Sequence, residues 1–369
     1  MNMLDWLKRE KVLVIALVLA VVSMFVTPPD AAYAGYVDVR VLALLFCLML
    51  LVKGFQSIGL FDWLIARVFG RVAHLRRLCQ MLVLLCFFSS MLITNDVALI
   101  TFVPFAIMAL HLCGQERQTI RVVVLQTIAA NLGSMATPIG NPQNLYLFSV
   151  SGMSVGDFFR AMLPLTLLSL LLILLVTLVI PREPVRMTLP DEKRAMPKRE
   201  LTAYAVLFAV NLLVVFRVLP WGVALAVTVA GVLALRQARL LRQVDYALLL
   251  TFVGFFVFVG NLGRVEGISA WLQQALEGRE VLLSALMSQA LSNVPAALLL
   301  SGFTRNYTAL LAGVNIGGLG TLIASMASLI SYKLYAAEPN AQKGRYLLVF
   351  TAYNLAGLAI LLLFRLLIG

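Results

Sequence analysis

The stretch that decides the fold reads NLGSMATPIGNPQN at 131–144, and it interrupts an otherwise apolar run that extends over 118–150. A second stretch, NIGGLGTLIAS at 315–325, interrupts the apolar run 306–335 in the same way. Both are rich in Gly, Asn and hydroxyl residues, which favour a break in a helix. Polar breaks at corresponding places in two halves of a membrane chain are the best indication from sequence of a transporter's binding site. We therefore expect two broken transmembrane helices that meet at a solute site.

Each of these runs follows another apolar run that carries a hydroxyl-Asn doublet near its middle. Residues 78–112 contain Thr-Asn at 94–95, and residues 280–304 contain Ser-Asn at 292–293. Backbone groups at a turn inside hydrocarbon must find partners, and Asn and hydroxyl side chains can supply them. Each doublet is therefore predicted to form the tip of a re-entrant hairpin.

The composition places the whole chain in a membrane. Of its 369 residues, 62% are hydrophobic and 12% are charged, and the mean hydropathy is +0.96. A soluble domain is only about half apolar and about a quarter charged. The net charge of +12 comes from Lys and Arg in short loops, where they are expected to fix topology rather than to bind nucleic acid. These features predict an all-α polytopic membrane protein and exclude a soluble fold.

Apolar runs of membrane-spanning length recur along the chain and predict about nine spans in addition to the two hairpins. Two short amphipathic segments, 57–72 and 265–277, are expected to lie along the membrane interface. The two broken runs count as spans, and the other seven are predicted at 11–27, 38–56, 161–180, 201–216, 221–235, 246–262 and 346–368.

The distribution of basic residues predicts the orientation of these spans. The loops at 28–37 and 151–159 contain no Lys or Arg. Because cytoplasmic loops are enriched in both residues, the basic clusters are assigned to the cytoplasmic side. The clusters are Lys8, Arg9 and Lys11; Arg67, Arg71, Arg76 and Arg77; Arg182 through Arg199; Arg236, Arg239 and Arg242; and Lys343 with Arg345. The first hairpin is then predicted to enter from the cytoplasm and the second from outside, with the N-terminus inside and the C-terminus outside a bacterial cytoplasmic (inner) membrane.

The two halves match as inverted-topology repeats. The first repeat is predicted over 1–180 and the second over 221–369. Residues 181–220 supply a cytoplasmic loop and a linking span, whose single crossing inverts the second half.

The breaks and tips contain the groups that a solute and a coupling ion need. Glycines permit unwound backbone, whose carbonyls can coordinate a small hard cation together with the hydroxyls of Thr137 and Thr321. Helix N-termini that begin just after each tip and break favour an anion. The glycines in question are Gly133, Gly140, Gly317, Gly318 and Gly320.

Two overlapping sets of candidate residues follow from this reasoning, with no catalytic residue, no cofactor and no metal beyond a possible Na⁺. The predicted substrate-binding residues are Thr94, Asn95, Thr137, Pro138, Asn141, Asn144, Ser292, Asn293, Thr321 and Ser325. The predicted coupling-ion residues are Thr94, Asn95, Asp96, Asn131, Gly133, Ser292, Asn293, Asn315 and Gly317.

Asp96 is the one carboxylate placed deep in an apolar run, and its counterpart in the second tip is Val294. An acidic side chain inside the membrane is energetically unfavourable and usually has a function, so a proton or cation site is the favoured interpretation. The alternative is a buried acid that caps the turn of the hairpin. The two tips are therefore expected to be chemically unequal.

The order of hairpin, broken helix and repeat, with Ser/Thr-Asn at both tips, resembles the ion transporter superfamily. Its members include divalent anion/sodium symporters, arsenite permeases and a sodium/proton antiporter branch. The motif Asn-Pro-Gln-Asn at 141–144, after Thr-Pro-Ile-Gly at 137–140, is similar to a small bacterial branch of citrate-transporter-like anion permeases. The resemblance implies a homodimer with an elevator motion, in which hairpins and broken helices move against a scaffold.

In the dicarboxylate branch of that superfamily the tips read Ser-Asn-Thr and bind both sodium and carboxylates. The resemblance implies these roles for Thr94 and Asn95 in the first tip and for Ser292 and Asn293 in the second. Because the third position is Asp96 in the first tip, the Asn-Asp pair there is more similar to the arsenite permease pattern.

Three transport functions remain open from sequence. The first is a secondary active transporter of a small organic anion or oxyanion, coupled to Na⁺ or H⁺. The others are a Na⁺/H⁺ antiporter that uses Asp96 and an arsenite-type efflux permease. An enzyme is not expected, because the sequence contains no His-Glu-x-x-His motif and no paired intramembrane aspartates. The expected partners are a small anionic solute, membrane lipid and a second copy of the chain.

Overall fold

The computed structural model describes residues 10–69, 72–185 and 196–368. The orientation assigned from Lys8, Arg9, Arg71 and residues 186–195 of the polar loop therefore lies outside the described residues. Within those ranges the protein is helical, without a β-strand, and a single isolated bridge joins His74 to Pro184.

In the described part of the first half there are eight α-helices. They are α1 (Lys11–Val26), α2 (Val39–Ser57), α3 (Leu60–Phe69), α4 (Leu75–Ile93), α5 (Asn95–Leu112), α6 (Thr119–Ser134), α7 (Pro142–Ser151) and α8 (Val155–Thr177). The predicted break in the first broken helix is therefore real but shorter than its polar stretch, since α6 continues through Ser134.

In the described part of the second half there are nine α-helices. They are α9 (Lys198–Val215), α10 (Trp221–Ala234), α11 (Tyr246–Gly263), α12 (Glu266–Leu276), α13 (Glu280–Leu291), α14 (Asn293–Ser301), α15 (Tyr307–Ile316), α16 (Met326–Ala336) and α17 (Lys343–Leu367). The amphipathic segments predicted at 57–72 and 265–277 correspond to α3 and α12.

Among the described residues, six helices are long and apolar enough to cross a membrane, namely α2, α4, α5, α8, α11 and α17. Shorter apolar helices include α1, α10, α13 and α15. Side chains of α8 and α17 are the least buried of the six long helices, as expected for helices that face lipid at the periphery. The architecture is that of a polytopic α-helical membrane protein.

The helices on either side of each tip form a hairpin whose two open ends lie together. At the start of α4 the Leu75 N–H donates to the Glu183 carbonyl (2.8 Å), and just after α5 the Gln115 amide donates to the Glu183 carboxylate (3.0 Å). At the open end of α13 and α14, the Thr304 hydroxyl donates to Glu280 (3.2 Å). Each pair of helices therefore runs out to its tip and returns.

The two hairpins differ in length. With a rise of 1.5 Å per residue, α4 and α5 are about 28 and 27 Å long, whereas α13 and α14 are about 18 and 14 Å long. The first hairpin is thus almost as long as the ~30 Å hydrocarbon core is thick. The ranges predicted from sequence, 78–112 and 280–304, differ in the same sense.

The broken helices run between the open ends of the two hairpins. At the end of α5, His111 lies 3.4 Å from Glu338, the second residue after α16. Near the end of α14, Ser301 is hydrogen-bonded to Tyr146 of α7 (2.7 Å). The first broken helix, α6–α7, therefore starts beside the first hairpin's open end and finishes beside the second's, while α15–α16 runs the other way. The two tips consequently point toward each other from opposite ends of the bundle.

Candidate functional site

Both hairpin tips have the same unusual backbone. Thr94 has φ 70° and ψ 150°, and Ser292 has φ 77° and ψ 154°. Positive φ is uncommon outside Gly and is especially unfavourable for a β-branched residue such as Thr. The following residue, Asn95 or Asn293, is buried and begins the returning helix. The hydroxyl-Asn doublets are therefore tips, as predicted, and the two turns are built alike.

Each tip contacts one of the helix breaks. Asn95 donates from its amide to the side-chain oxygen of Asn131 (3.0 Å), and its own side-chain oxygen accepts from the backbone N–H of Asp96 (3.0 Å). In the second half the backbone N–H of Asn293 donates to the carbonyl of Ala324 (2.9 Å). The first tip is thus attached to its break by a side chain, and the second by its backbone.

Asn131 and Asn315 join the two breaks to each other. Asn131 accepts a hydrogen bond from the Ser325 hydroxyl (3.0 Å) and lies 3.4 Å from the Ser328 hydroxyl. Asn315 accepts from the Asn141 amide (3.1 Å) and donates to the Asn144 oxygen (2.7 Å). All of these side chains except that of Ser328 belong to the predicted site, and all six are buried. The structure thus brings seven of the fifteen candidate residues, together with Ser328, into one cluster, which we call the central cluster: Asn95, Asn131, Asn141, Asn144, Asn293, Asn315, Ser325 and Ser328.

The bonds within the central cluster occur in equivalent register. Asn131 and Asn315 are 184 residues apart, as are Asn141 and Ser325, and Asn144 and Ser328. Each of the two central asparagines is therefore held by the same two positions of the opposite half.

The hydroxyls of the two breaks also make equivalent contacts. Thr137 donates to the carbonyl of Met91 (2.5 Å), and Thr321 donates to the carbonyl of Gln289 (3.1 Å). Met91 and Gln289 each stand three residues before the tip, in α4 and α13 respectively. These threonines tie the breaks to the hairpins, while Pro138 is buried in the first break.

The glycines of the breaks have a different role from the one expected. Gly133 was predicted to lie in unwound backbone, but it belongs to α6, and a Cβ there would lie 2.7 Å from the Ser90 hydroxyl and closer still to the carbonyl oxygen of Phe87. Gly317 directly follows α15 in a helical conformation, and a Cβ there would lie 2.8 Å from the Ser288 hydroxyl. Both glycines permit close packing of a broken helix on a hairpin helix. The periodicity of small residues in the hairpins could have indicated this contact.

The carbonyls freed by the first break are not vacant. The amide nitrogen of Asn144 lies 3.0 Å from the Thr137 carbonyl oxygen, and 3.3 and 3.4 Å from those of Met135 and Ser134. In the second break a corresponding amide comes from Gln289, which sequence reasoning did not select. Its signal is a lone polar residue three positions before the tip in an apolar helix.

Asp96 lies in the first turn of α5 and is half-buried. Among the described residues, no side chain forms an ion pair or a hydrogen bond with its carboxylate. Val294, at the equivalent position of the second tip, is buried. The two tips are therefore alike in backbone and unequal in charge, as the sequence indicated.

A cavity of about 330 Å³ lies away from the tips, between the later parts of α5 and α16. It is lined by Pro104, Ile107, Met108, His111, Leu334 and Glu338. The two acids near its mouth, Glu116 and Glu338, flank His111 at 3.4 Å on either side. This region is a surface of the first hairpin's open end rather than part of the central cluster.

Comparison with known proteins shows which proteins this chain is similar to. The family whose sequence model matches this chain is described as citrate transporter, and the match covers residues 1–307. The chain is 33% identical over 317 residues to the inner membrane protein YbiR of Escherichia coli, covering 85% of this chain and 84% of that protein.

Two further similarities are more limited, the first in coverage and the second in sequence identity. Over 136 residues, 37% of this chain and 27% of the other, the chain is 32% identical to the silicon efflux transporter LSI3 of Oryza sativa subsp. japonica. Its fold is similar to that of the YdaH transporter of Alcanivorax borkumensis, with a TM-score of 0.59, 17% sequence identity and coverage of 91% of this chain and 86% of that one.

Proposed function

Because this chain belongs to the citrate transporter family, we propose that it is a secondary active transporter of a small organic anion or oxyanion, coupled to Na⁺ or H⁺. The observation that carries the proposal is the central cluster, in which two hairpin tips and two helix breaks from opposite halves of the chain are joined by hydrogen bonds, most of them from side-chain amides and hydroxyls. Transporters bind solutes at such junctions of discontinuous helices.

The preference for an anion rests on the helix ends at the cluster. Helices α5 and α14 begin at the two tips, and helices α7 and α16 begin directly after the two breaks. The N-terminus of a helix carries a partial positive charge and free N–H groups, which favour a negative ligand. Four such ends at one cluster, with no Lys or Arg among its members, favour a small anion or an oxygen-rich solute.

The residues proposed to bind the solute are those predicted from sequence, with roles set by their contacts. Asn95 and Asn293 present amides at the tips, and Thr94 and Ser292 present hydroxyls. Asn131 and Asn315 position the breaks, because each is already held by the opposite half.

Asp96 is the residue proposed to hold the coupling ion. A carboxylate in the membrane is unfavourable without a partner, and a proton or a Na⁺ would supply one. The same observation favours a second candidate function, a Na⁺/H⁺ antiporter in which Asp96 exchanges the two ions.

An efflux permease for a weak oxyacid is a further candidate. The partial similarity to a silicon efflux transporter supports it. Silicic and arsenous acids are uncharged at neutral pH, so neither would be repelled by an ionised Asp96.

The proposed mechanism is an elevator motion of the hairpins and broken helices in a homodimer within the bacterial inner membrane, with the N-terminus inside and the C-terminus outside. Helices α1 and α11 are joined independently of the central cluster, since Asn261 donates to Ser23 (2.8 Å) and accepts at its backbone from Thr27 (3.3 Å). Such a pair would serve as part of the static scaffold.

The test is transport by the purified protein in liposomes under imposed Na⁺ and pH gradients. Citrate, succinate, sulfate, phosphate and arsenite would be offered in turn. Uptake or efflux driven by one gradient, and lost in Asn95→Ala and Asn293→Ala, is expected. The matched control is Asn211→Ala, since Asn211 is a buried Asn in α9 that bonds to Thr228 outside the cluster.

The same assay distinguishes secondary active transport of a solute from Na⁺/H⁺ antiport. Flux that ignores both gradients and both tip variants contradicts secondary active transport. Proton flux driven by Na⁺ without any added solute, and abolished by Asp96→Asn, would favour the antiporter instead.

A further inference from the structure

The side chain of Gln289 fills the second helix break. Its amide nitrogen lies 2.9 Å from the carbonyl oxygen of Gly317 and 3.0 Å from that of Leu319. A third carbonyl, that of Ala285 in its own helix, lies 3.0 Å away. The side-chain oxygen accepts a hydrogen bond from the backbone N–H of Thr321 (2.9 Å). One side chain therefore meets four backbone groups around the end of α15.

The hydrogen-bonding roles of these partners determine the orientation of the Gln289 side-chain amide. Carbonyl oxygens can only accept and a backbone N–H can only donate, so the nitrogen must face Gly317 and Leu319 and the oxygen must face Thr321. Carbonyl oxygens that converge on one point at a helix break are also the ligands that a small hard cation takes. In this structure the N–H₂ group of Gln289, with its partial positive charge, occupies that point.

The backbone of the break is shaped around this side chain. Gly320 has φ 109°, a conformation that is available to Gly and strained for other residues. A Cβ at Gly320 would collide with the side-chain oxygen of Gln289. The amide is therefore a built-in part of the break.

The first half differs from the second at the positions equivalent to Gln289 and Val294. The residue equivalent to Gln289 is Met91, by the matching Thr137 and Thr321 contacts, and a thioether has no N–H to donate. The first break is served by Asn144 instead, and only one of its three contacts lies within the usual hydrogen-bond range of about 2.7–3.2 Å. In addition, the first tip carries Asp96.

The two halves of the site therefore differ in charge. The first has a carboxylate without a partner among the described residues, and an unpaired charge in a low-dielectric site needs a counter-ion or a proton. The second has an apolar Val294 and break carbonyls that already accept from an amide.

We infer that the Gln289 amide stands in for a coupling cation in the second half of the site, so that the transporter binds a single coupling cation, at the first tip, instead of one at each tip. This inference rests on the proposed function for the meaning of the first site, whereas the filled second site stands on the contacts of Gln289 alone.

The test counts bound Na⁺ in the purified protein, with ²²Na⁺ and choline as the replacement ion. Wild type is expected to bind at most one Na⁺ per chain, with none if the first tip takes a proton. Gln289→Glu replaces the amide by a carboxylate that the neighbouring carbonyls repel, and it is expected to bind one Na⁺ more than wild type. Gln273→Glu is the matched control, because the side chain of Gln273 is exposed in α12 and among the described residues bonds only to Ser269, and it should leave the number unchanged.

A mirrored variant keeps the inference testable if Gln289→Glu fails to fold. Met91→Gln places an amide at the equivalent position of the first half. It is expected to reduce the stimulation of transport by Na⁺ or H⁺ at least tenfold, whereas Met91→Leu should retain that stimulation. Two Na⁺ per wild-type chain, or an unchanged number in Gln289→Glu, would overturn the inference. A wild type that binds one Na⁺ yet transports no solute under any gradient would overturn the proposed function, while the gain in Gln289→Glu would still support the filled second site.

Discussion

The packing of α6 on α4 makes Gly133→Ala the sharpest test of the structure. A Cβ at Gly133 would lie 2.8 Å from the carbonyl carbon of Phe87 and 2.7 Å from the Ser90 hydroxyl. The Phe87 atoms belong to helix backbone and cannot turn aside as a flexible side chain could, so one helix must move. Overpacking of this kind typically destabilises by about 1–3 kcal/mol.

The intrinsic preference of a helix for Ala over Gly opposes that effect by about 0.8–1 kcal/mol. Because the obstructing atoms are backbone, the upper part of the overpacking range applies, and we expect a net loss of about 1–2 kcal/mol in the free energy of unfolding. The measurement is equilibrium unfolding in mixed micelles with increasing SDS, followed by tryptophan fluorescence.

The matched control is Gly156→Ala in α8. The nearest atom to a Cβ at Gly156 is 3.7 Å away, an ordinary contact, so this variant keeps the helical preference without the clash. Its free energy of unfolding should stay equal to wild type or rise by at most about 1 kcal/mol. If Gly133→Ala is as stable as Gly156→Ala, the close packing of α6 on α4 is refuted. A stable Gly133→Ala with altered Na⁺ dependence would restore the ligand role that the sequence suggested.

Three other outcomes are expected. Asn315→Ala leaves the buried oxygen of Asn144 without its partner and should lower the free energy of unfolding by about 1–3 kcal/mol in the same assay, and an unchanged value would argue against the central cluster. The Arg264 guanidinium donates to Asp30 and lowers the pKa of that carboxyl. The stability this pair adds should therefore be present at neutral pH and disappear as the pH falls below about 4, so the melting temperatures of wild type and Asp30→Asn should converge in acid. A fluorescent protein fused to the C-terminus should be dark and alkaline phosphatase fused there should be active if the C-terminus lies outside, and the reverse result would invert the topology.

Much of this arrangement could be predicted because the signals are local. Hydropathy located the helices, and the doublets at 94–95 and 292–293 located the tips, since a polar pair inside an apolar run is unfavourable in hydrocarbon unless it is buried in protein or ends a helix. The breaks followed from Gly and Asn in the same way. These signals depend on a few adjacent residues, so one sequence was sufficient.

The contacts between distant segments could not be predicted in this way. The bond from Ser325 to Asn131 depends on how two helices almost two hundred residues apart are aligned, and no local pattern reports that alignment. The error at Gly133 has the same origin, because a Gly that permits unwinding and a Gly that permits close packing look identical in sequence. Gln289 was missed because its importance comes from the carbonyls of another helix.

The strained backbone of the tips indicates what their hydroxyls do. Gly would adopt the positive φ of either tip without strain, yet Thr94 and Ser292 stand there, at a typical energetic penalty of about 1–3 kcal/mol each. Among the described residues the Thr94 hydroxyl has no hydrogen-bond partner, and the Ser292 hydroxyl has only two long contacts of 3.4 Å. A hydroxyl that is kept in a strained position and left largely unbonded is therefore expected to bind a ligand. Thr94→Gly should fold at least as stably as wild type and lose solute-dependent transport, while Thr94→Ser should retain it; retention of full transport by Thr94→Gly would show that the tip needs only its backbone.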